Sequence, residues 1–286
     1  MQPNKSLTDT EFIALRDFIY GRTGILYTDR NRYLLEARVQ ELLHQSSSKD
    51  PSSYIKSILD PKTSVLDVNR LINKVTVTET SFFRDPPQIT ALAKNIIPEL
   101  AKRHVHFGSK LLRIWSAGSS SGEEAYTVAI LLAEHFKEHL TAWNITIFAT
   151  DVNEDALQAC RTAVYKPYAL RNTPPEIKER YFRAESDGAF AVRDEIKRLV
   201  VAERASLTHP VACKKYSGVD LILLRNVLIY FTSDAKTAVL QSCYENLRDN
   251  GYLLLGQSET AFGVNHSLML VTFVNAFAYK KVPPVH

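Results

Sequence analysis

The sequence has few of the residues that cross-link or metallate small domains: there are three cysteines in 286 residues. Cys160, Cys213 and Cys243 are far apart and belong to no CxxC or Cys/His cluster. Neither a disulfide framework nor a zinc site is therefore expected, and this cysteine usage is typical of a reducing cytosol. The histidines show no ligand spacing with acids or cysteines, so we predict no bound metal.

Long hydrophobic runs are also missing. The N-terminal residues, MQPNKSLTD, lack the apolar region of a signal peptide. The most apolar stretch, LILLRNVLIYF, is too short to span a bilayer and contains Arg225. These features predict a cytoplasmic protein that does not insert into membranes.

A dense positive charge is absent as well. With 35 Lys and Arg against 31 Asp and Glu, the formal net charge is only +4. Nucleic-acid-binding surfaces usually carry a much stronger basic field. We therefore expect no nucleic-acid partner. We also expect a monomer.

Residues 1–75 carry helical patterns and no strand pattern. In TDTEFIALRDFIYGRTG, apolar residues recur every three to four positions and acids occupy the first turn. DRNRYLLEARVQELLH repeats the pattern, and SYIKSILD and SVLDVNRLINKV predict two shorter helices. A small all-α domain is therefore predicted over residues 1–75, followed by a second domain over residues 76–286.

Within the second domain, short apolar runs alternate with helical patterns. Four runs end in polar or small residues: LLRIWSAG (111–118), NITIFATD (144–151), GVDLILLRN (218–226) and GYLLLGQSE (251–259). Strands that are apolar on both faces and alternate with helices predict an α/β fold with a mainly parallel, doubly covered sheet. The last stretch, LMLVTFVNAFAYKKV, predicts an additional strand at the sheet edge.

The alternation is interrupted at about residues 165–205. The segment is at first rich in proline, and an Asp-Gly turn then separates two short alternating runs, which is a hairpin signal. We interpret the segment as an inserted β-rich subdomain, or flap, within the sheet domain.

The loop SAGSSSGEE follows the first strand, at the edge where open parallel sheets bind ligands. Gly118 and Gly122 allow a tight turn, but the loop matches neither GxGxxG nor a P-loop. Glu123 and Glu124 would repel a pyrophosphate at close range, whereas they would suit the cationic cofactor S-adenosylmethionine. A favourable interaction with the helix dipole also explains both acids, without any ligand.

Asp151 ends the second strand. A carboxylate at this position accepts hydrogen bonds from ribose hydroxyls in nucleoside-binding sheets. Alternatively, Asp151 caps the helix that follows it. Taken with the loop after the first strand, the ribose role is favoured.

These motifs resemble those of the chemotaxis receptor glutamate methyltransferases, the CheR-like enzymes. The similarity covers nearly the whole chain and rests on five segments in the same order: TETSFFRD (78–85), WSAGSSSGEEAYT (115–127), FATDVNEDALQACRTAVY (148–165), LRNVLIYF (224–231) and GYLLLGQSE (251–259). It implies a Rossmann-like S-adenosylmethionine-dependent methyltransferase domain with an inserted β-flap, preceded by a small all-α domain. It also implies methyl transfer to glutamate side chains of chemoreceptor cytoplasmic helices, with S-adenosylhomocysteine as the product, in the adaptation of bacterial chemotaxis.

The resemblance further implies residue roles. Arg84 would reach the cofactor carboxylate or the substrate acid, Glu123 would face the methionine end of the cofactor, and Asp151 would bind the ribose. The complete set implied to contact the cofactor is Thr78, Thr80, Arg84, Gly118, Glu123, Asp151, Ser206, Leu207, Arg225 and Asn226.

The sequence departs from the family pattern at three of these positions. Thr78 and Ser206 stand where asparagine is common, and Gly118 stands where alanine is frequent. The contacts of Thr78 and Ser206 would therefore be made by hydroxyl groups rather than by amide side chains.

A glutamate carboxylate has a pKa of about 4.3 and is ionised at neutral pH, so methyl transfer to it needs no general base. A cation should orient the acceptor, and Arg84 is the first candidate and Arg103 the second. Either arginine could instead pair with a surface acid. Tyr230 could position the acceptor oxygen, which completes the predicted catalytic group. Phe82 and Phe83 either wall the cofactor or belong to the core.

Other functions stay open at this point. An enzyme that methylates amino groups of nucleic acids would carry an Asn/Asp-Pro-Pro-aromatic motif after the strand that here ends in LRNVLIYF. The DPPQ at 85–88 lies upstream instead, where prolines are more typical of a helix start. Methylation of another protein is a second alternative. A non-catalytic module that senses S-adenosyl ligands is a third, although the pocket motifs are intact.

Overall fold

The N-terminal helices begin where the sequence supplies caps. In a computed structural model, which describes residues 6–46, 48, 50–263 and 268–283, α1 (Asp9–Thr23) follows Thr8, which forms a capping box with Glu11. After a short 3₁₀ helix comes α2 (Arg32–Leu43), and Asp50 and Ser64 cap α3 (Pro51–Leu59) and α4 (Val65–Val75). The four helices share one apolar core, which includes Leu15, Ile19, Leu35, Val39 and Leu71. Residues 1–5 of the predicted helical domain and 284–286 of the second domain lie outside the described chain.

A long helical segment connects this bundle to the sheet. It consists of α5 (Pro86–Ala91), a π-helical turn (Leu92–Ile96) and α6 (Ile97–His106). Pro86 and Pro87 open α5, where the missing N–H groups break no helical hydrogen bond. The prolines of DPPQ therefore start a helix, as the sequence predicts.

The central sheet has seven strands in the order β6-β2-β1-β7-β8-β10-β9. The first five are parallel to their neighbours, and the last two form an antiparallel hairpin that places β10 beside β8. This confirms the predicted α/β class, although the edge holds a hairpin rather than one added strand. The strands of the sheet are β1 (Leu111–Ala117), β2 (Asn144–Asp151), β6 (Val200–Arg204), β7 (Val219–Leu224), β8 (Leu247–Leu255), β9 (Leu268–Phe273) and β10 (Ala276–Lys281).

Helices cover both faces of the sheet. Ile114 and Leu221 point into a core shared with α7, whereas Trp115 and Ile222 point into a core shared with α12. Successive residues of a strand face opposite sides, so a sheet covered twice needs apolar residues at every position. The remaining helices are α7 (Glu123–Phe136), α8 (Glu154–Thr162), α9 (Pro175–Tyr181), α10 (Asp194–Lys197), α11 (Pro210–Cys213) and α12 (Ser233–Asn246).

The insertion is smaller than the sequence analysis predicts. Its antiparallel sheet has the order β3-β5-β4 and consists of β3 (Val164–Tyr165), β4 (Phe182–Ala184) and β5 (Phe190–Val192). The run at 200–204, which the predicted flap included, is instead β6, a parallel partner of β2. The prediction is wrong there because β6 is an edge strand, and its half-exposed residues lack the continuous apolar run of the inner strands.

The helical bundle packs directly against the sheet domain. Ile25 forms a β-bridge with Phe231, and the Leu26 N–H donates to the Tyr230 carbonyl at 3.3 Å. Between α1 and this bridge, Gly24 adopts a left-handed φ of +76°, and a side chain there would overlap Thr208 and Phe231. The turn after α1 is thus one docking point of the bundle, and α4 forms another, where Asn73 bonds to Asn153 and Glu154.

In the described part of the chain, no helix combines the length and the apolar character needed to cross a bilayer.

We expect Gly24→Ala to lower the free energy of unfolding by about 1–2 kcal/mol, because alanine is strained at positive φ and its methyl group meets Thr208. Gly21→Ala is the matched control, since Gly21 lies within α1 with no atom near the new methyl group. That variant should be unchanged or more stable, by up to about 1 kcal/mol. Urea unfolding of both proteins measures the difference. Equal stability of the two variants would contradict a tight docking turn.

Candidate functional site

A cavity of about 280 Å³ opens at the carboxyl ends of the parallel strands. Its walls come from the loops after β1, β2, β6 and β7, from residues 76–84, and from Thr23 and Ile25 of the bundle. Open α/β sheets bind their ligands at this edge. The predicted cofactor-binding residues that line the cavity are Thr80, Arg84, Gly118, Asp151, Leu207, Arg225 and Asn226.

The loop after β1 has a tightly curled backbone. Gly118 and Gly122 have φ of +75° and +93°, and Ser120 has +51° although it is not glycine. The N–H groups of Gly118 and Ser119 both donate to the Thr150 carbonyl at 2.8 Å. These bonds fold the loop back over the end of β2.

Asp151 ties this loop to the one after β2. One carboxylate oxygen accepts the Ser120 N–H at 2.8 Å, and the other accepts the Asn153 N–H at 2.9 Å. Burial raises the pKa of Asp151, and these backbone donors oppose that rise. The residue that caps α8 is Asn153, whose side chain accepts the Ala156 N–H. Asp151 is therefore not that helix cap, and it faces the cavity.

The loop also leaves a polar group unsatisfied. The Ser119 hydroxyl is buried at the cavity and has no hydrogen-bond partner among the described residues. Buried hydroxyls are normally paired, so this one is available to a ligand. At Gly118, a Cβ atom would lie 2.6 Å from Val227, so the wall has no room for a side chain. A close backbone wall with a free hydroxyl fits a nucleoside-like ligand.

The two adjacent glutamates have different surroundings. Glu124 lines the cavity, where it accepts from the Ser116 hydroxyl at 2.7 Å and from Arg225 at 3.1 Å. Glu123, the predicted cofactor contact, does not line it. Its side chain turns beneath the loop and accepts from Ser121 at 2.8 Å. Neighbouring positions of α7 are about 100° apart, which is why Glu124 faces the cavity while Glu123 points elsewhere.

Arg225 is the centre of a buried polar network. Its guanidinium donates to Gln88 at 2.6 Å, to Glu124 at 3.1 Å and to the Arg84 carbonyl at 3.0 Å. Gln88 in turn donates to the Leu255 carbonyl at 2.7 Å. The guanidinium is therefore engaged in holding β7, α5 and α7 together while it lines the cavity.

Arg84 has a different environment. Its guanidinium donates to the Glu79 carbonyl at 3.1 Å and forms no ion pair with a carboxylate of the described chain. The backbone around it is strained, since its neighbours Phe83 and Asp85 have φ of +52° and +69°. The Phe83 N–H donates to the Thr127 hydroxyl at 3.1 Å, which fixes this segment against α7. Arg84 is thus a cation on the cavity wall with capacity to bind an acid.

Tyr230 and Asn226 lie on the turn after β7, and both line the cavity. Asn226 has a left-handed φ of +58°. Burial raises the pKa of Tyr230, the positive charge of Arg84 opposes the rise, and Glu259 adds to it. The phenol is therefore protonated near neutral pH and is available as a hydrogen-bond donor.

Arg103, the second predicted catalytic arginine, is remote from the cavity. It donates to Asp220 at 2.9 Å and to the Asn250 carbonyl at 2.5 Å, at the opposite end of β7. Asp220 is fully buried and also contacts His104 at 2.8 Å. The buried carboxylate needs this cation, which corrects the predicted role of Arg103.

Two further predicted cofactor contacts lie off the cavity. The Ser206 side chain is 2.9 Å from the Thr208 hydroxyl and faces a separate groove between the domains. The Thr78 side chain is exposed, and its carbonyl accepts from the Ser120 hydroxyl at 3.0 Å. Phe82 and Phe83 are buried in the core, where Phe82 contacts Tyr165 edge-on at 4.9 Å.

The sequence analysis missed several residues of the site. Thr23 and Ile25 belong to the all-α domain, and no local pattern signals that they reach the cavity. Gln88 follows the prolines of α5 and supports Arg225. Glu259 lies in GQSE, a segment on which the family resemblance rests. Its position after a strand does not by itself indicate a specific role.

Across the described chain, no group of three or more His, Cys, Asp or Glu side chains is arranged to hold a metal ion.

Comparison with known proteins gives a consistent family. Residues 10–76 match the family model for the all-alpha domain of CheR methyltransferases, and residues 78–276 match the model for their SAM-binding domain. The chain is similar to chemotaxis protein methyltransferase 2 of Vibrio cholerae serotype O1, with 30% identity over 96% of this chain and 94% of that protein. It is also similar to the chemotaxis protein methyltransferase of Borreliella burgdorferi, with 31% identity over 97% and 96% of the two chains. A third relative, from Vibrio parahaemolyticus, is 32% identical over 96% and 98%.

The burial of Glu123 generates a stability prediction. Burial raises the pKa of its carboxyl above 4.5, with Ser121 opposing, so the ionised form is destabilised at neutral pH. Glu123→Gln should therefore be more stable than the parent protein near pH 7. Because the folded parent binds its proton at a higher pH than the unfolded chain, its relative stability should rise as the pH falls through the raised pKa towards 4.5.

The measurement is urea unfolding across a pH series. Glu41→Gln is the control of opposite sign, because the Lys74 ammonium lowers the pKa of Glu41. This control should lose stability at neutral pH, and the loss should shrink as the pH falls below 4.5. If Glu123→Gln were instead destabilised most at neutral pH, its carboxylate would be making a favourable interaction.

Proposed function

Because this chain belongs to the CheR methyltransferase family, and is thus an S-adenosylmethionine-dependent methyltransferase, we propose that its acceptors are glutamate side chains of chemoreceptor cytoplasmic helices. The products are glutamate methyl esters and S-adenosylhomocysteine, formed in the cytoplasm during adaptation of chemotaxis. The names of the relatives support the link to chemotaxis. The choice of a carboxylate acceptor rests on the residues at the cavity.

The cofactor supplies a methyl group activated by a sulfonium sulfur. One carboxylate oxygen of the acceptor forms a bond to the methyl carbon as the bond from that carbon to sulfur breaks. The acceptor is already ionised at neutral pH, so no proton has to move and no general base is needed. The protein must align the reacting atoms and exclude water, and alignment can contribute about 7–11 kcal/mol.

Arg84 carries this proposal. Its guanidinium lies at the cavity and donates a hydrogen bond to the Glu79 carbonyl, which is neutral, and not to a carboxylate. Arginine binds carboxylates with two parallel hydrogen bonds, which fixes the direction of the acceptor oxygen. We assign Arg84 to orientation of the acceptor glutamate or of the cofactor carboxylate. Two carboxylates of the wall, Glu79 and Asp151, would face the positively charged cofactor, and Glu79 also pairs with Arg171 at 3.4 Å.

Other residues take supporting roles in the proposal. The Tyr230 phenol would donate to the acceptor oxygen, and Asp151 would accept from the ribose hydroxyls. The Ser119 hydroxyl, which has no partner among the described residues, would form a hydrogen bond with the cofactor. Leu207 and Asn226 would border the adenine and close the cavity, and Arg225 would hold the surrounding elements.

The direct test incubates the enzyme with labelled S-adenosylmethionine and chemoreceptor cytoplasmic fragments. Mass spectrometry should find a gain of one methyl group on glutamates, and the label should be released by mild base as expected for esters. Fragments in which the modified glutamates are changed to alanine serve as the control. Base-stable label, or label on lysine, cysteine or nucleic acid, would contradict a glutamate acceptor.

We expect Arg84→Ala to lower turnover by about 10- to 100-fold, the loss that accompanies removal of one charged hydrogen bond. Arg84→Lys should recover only part of the activity, because an ammonium keeps the charge but not the two-pronged geometry. Arg198→Ala is the control, since Arg198 is exposed near the amino end of β6. Turnover of Arg84→Ala within threefold of the control would remove Arg84 from the proposal.

A further inference from the structure

Glu259 is a buried carboxylate that accepts hydrogen bonds from three backbone N–H groups. One of its oxygens accepts the N–H groups of Asn226 at 2.8 Å and Gly256 at 2.7 Å, and the other accepts the N–H of Leu228 at 2.8 Å. The residue is 6% exposed, and no cation of the described chain lies within ion-pair distance of it. Three donors at such short distances can hold an ionised carboxylate without a counter-ion.

These donors belong to the loops that follow two neighbouring strands. Asn226 and Leu228 come after β7, and Gly256 comes directly after β8. Glu259 itself lies three residues beyond Gly256, so its side chain reaches back across the sheet edge. It therefore fastens the turn after β7 to the loop after β8.

The fastened turn carries much of the cavity wall. Asn226, Val227, Ile229 and Tyr230 all line the cavity. Asn226 has a left-handed backbone, with φ of +58°, and a non-glycine residue adopts that conformation only when its surroundings hold it there. Two of the three donors to Glu259, the N–H groups of Asn226 and Leu228, lie within this turn.

The atoms around the Glu259 carboxylate are closely packed. A Cβ atom at Gly256 would lie 2.7 Å from the Glu259 carboxylate, 3.0 Å from the Asn226 nitrogen and 3.1 Å from its side-chain amide. On the other side, Val227 fills the space beside Gly118 of the loop after β1. A shift of the turn would therefore be transmitted both to Tyr230 and to the cofactor loop.

We propose that Glu259 is a positioning residue for methyl transfer, whose carboxylate holds the turn 226–230 so that Tyr230 and Asn226 face the reactants. It touches neither cofactor nor acceptor and acts through the backbone. The catalytic part of this inference rests on the proposed function, whereas the clamp itself does not.

The first test measures amide hydrogen exchange in the full chain without cofactor. Glu259→Gln keeps the size of the side chain but loses the charge and replaces one acceptor oxygen by an NH₂ group. The amides of residues 226, 228 and 256 should then exchange about 10-fold faster or more, because their opening no longer breaks a charged hydrogen bond. Unchanged exchange at these three amides would overturn the clamp whatever the enzyme methylates.

The matched control is Asp220→Asn, at the opposite end of β7. Asp220 is likewise a buried carboxylate, and it accepts the Arg113 N–H at 3.0 Å and contacts Arg103 and His104. Its loss should lower the melting temperature without altering exchange at the amides of residues 226, 228 and 256. A general loss of stability would affect both variants alike, so this comparison separates positioning from structure.

Turnover provides the second readout, at a temperature where circular dichroism shows every variant folded. Glu259→Gln should lower kcat by about 10-fold or more and weaken binding of S-adenosylhomocysteine, whereas Asp220→Asn should leave kcat within about threefold. If kcat fell equally in the two variants, Glu259 would have a structural role only. Failure of the proposed acceptor would show differently, as an absence of receptor methylation by the parent protein.

Gly256→Ala keeps the inference testable if Glu259→Gln does not fold. The added methyl group presses on the carboxylate and on Asn226 while the charge remains. We expect faster exchange at residues 226 and 228, together with reduced affinity for S-adenosylhomocysteine. If amide exchange and affinity for S-adenosylhomocysteine both stayed at the values of the parent protein, the inferred close packing around Glu259 would be wrong.

Discussion

The three hydrogen bonds that the Arg225 guanidinium donates, to Gln88, Glu124 and the Arg84 carbonyl, constrain the rest of the site. A buried guanidinium must have its donors satisfied, and here the partners come from the segment before α5, from α5 and from α7. Removing one partner of such a group typically costs about 3–5 kcal/mol, because the remaining charge is left buried. The elements around β7 therefore cannot move independently. Their common position decides where the Arg84 backbone lies, since the Arg84 carbonyl is one of the acceptors.

Four of the eight non-glycine residues with positive φ in the described chain lie around the same cavity. Phe83, Asp85, Ser120 and Asn226 all have positive φ, although none of them is glycine, and all four lie in loops that form the cavity wall or adjoin it. Each such residue costs of the order of 1–3 kcal/mol unless its surroundings determine its conformation. Side-chain clamps provide that determination: Asp151 accepts the Ser120 N–H, Glu259 accepts the Asn226 N–H, and Thr127 accepts the Phe83 N–H. The wall is therefore preorganised before any ligand binds.

Much of this architecture could be predicted from local patterns. The doubly apolar runs predict β1, β2 and β7 to within a residue or two at each end, because burial on both faces leaves a continuous signal in the sequence. β6 was not predicted as part of the central sheet, because an edge strand needs fewer apolar residues. At the site, the position of Asp151 at a strand end predicts that it faces the cavity. Which of Glu123 and Glu124 faces the cavity depends on the rotation of α7 about its axis, and the sequence alone did not predict that rotation. Arg103 illustrates the remaining difficulty, since its partner Asp220 is distant in sequence and becomes a neighbour only in the folded chain.

The position of the helical bundle has a consequence for the acceptor. Thr23 and Ile25 contribute to the cavity wall, and Ile25 bridges to Phe231 beside Tyr230. Under the proposed function, the acceptor would reach Arg84 past a cavity wall to which both domains contribute. The turn at Gly24 packs against Thr208 and Phe231, and hydrogen bonds from Asn153 and Glu154 to Asn73 of α4 hold the bundle at a second place. The all-α domain thus has its own core and also contributes to the cavity wall, so its position is part of the geometry of the site.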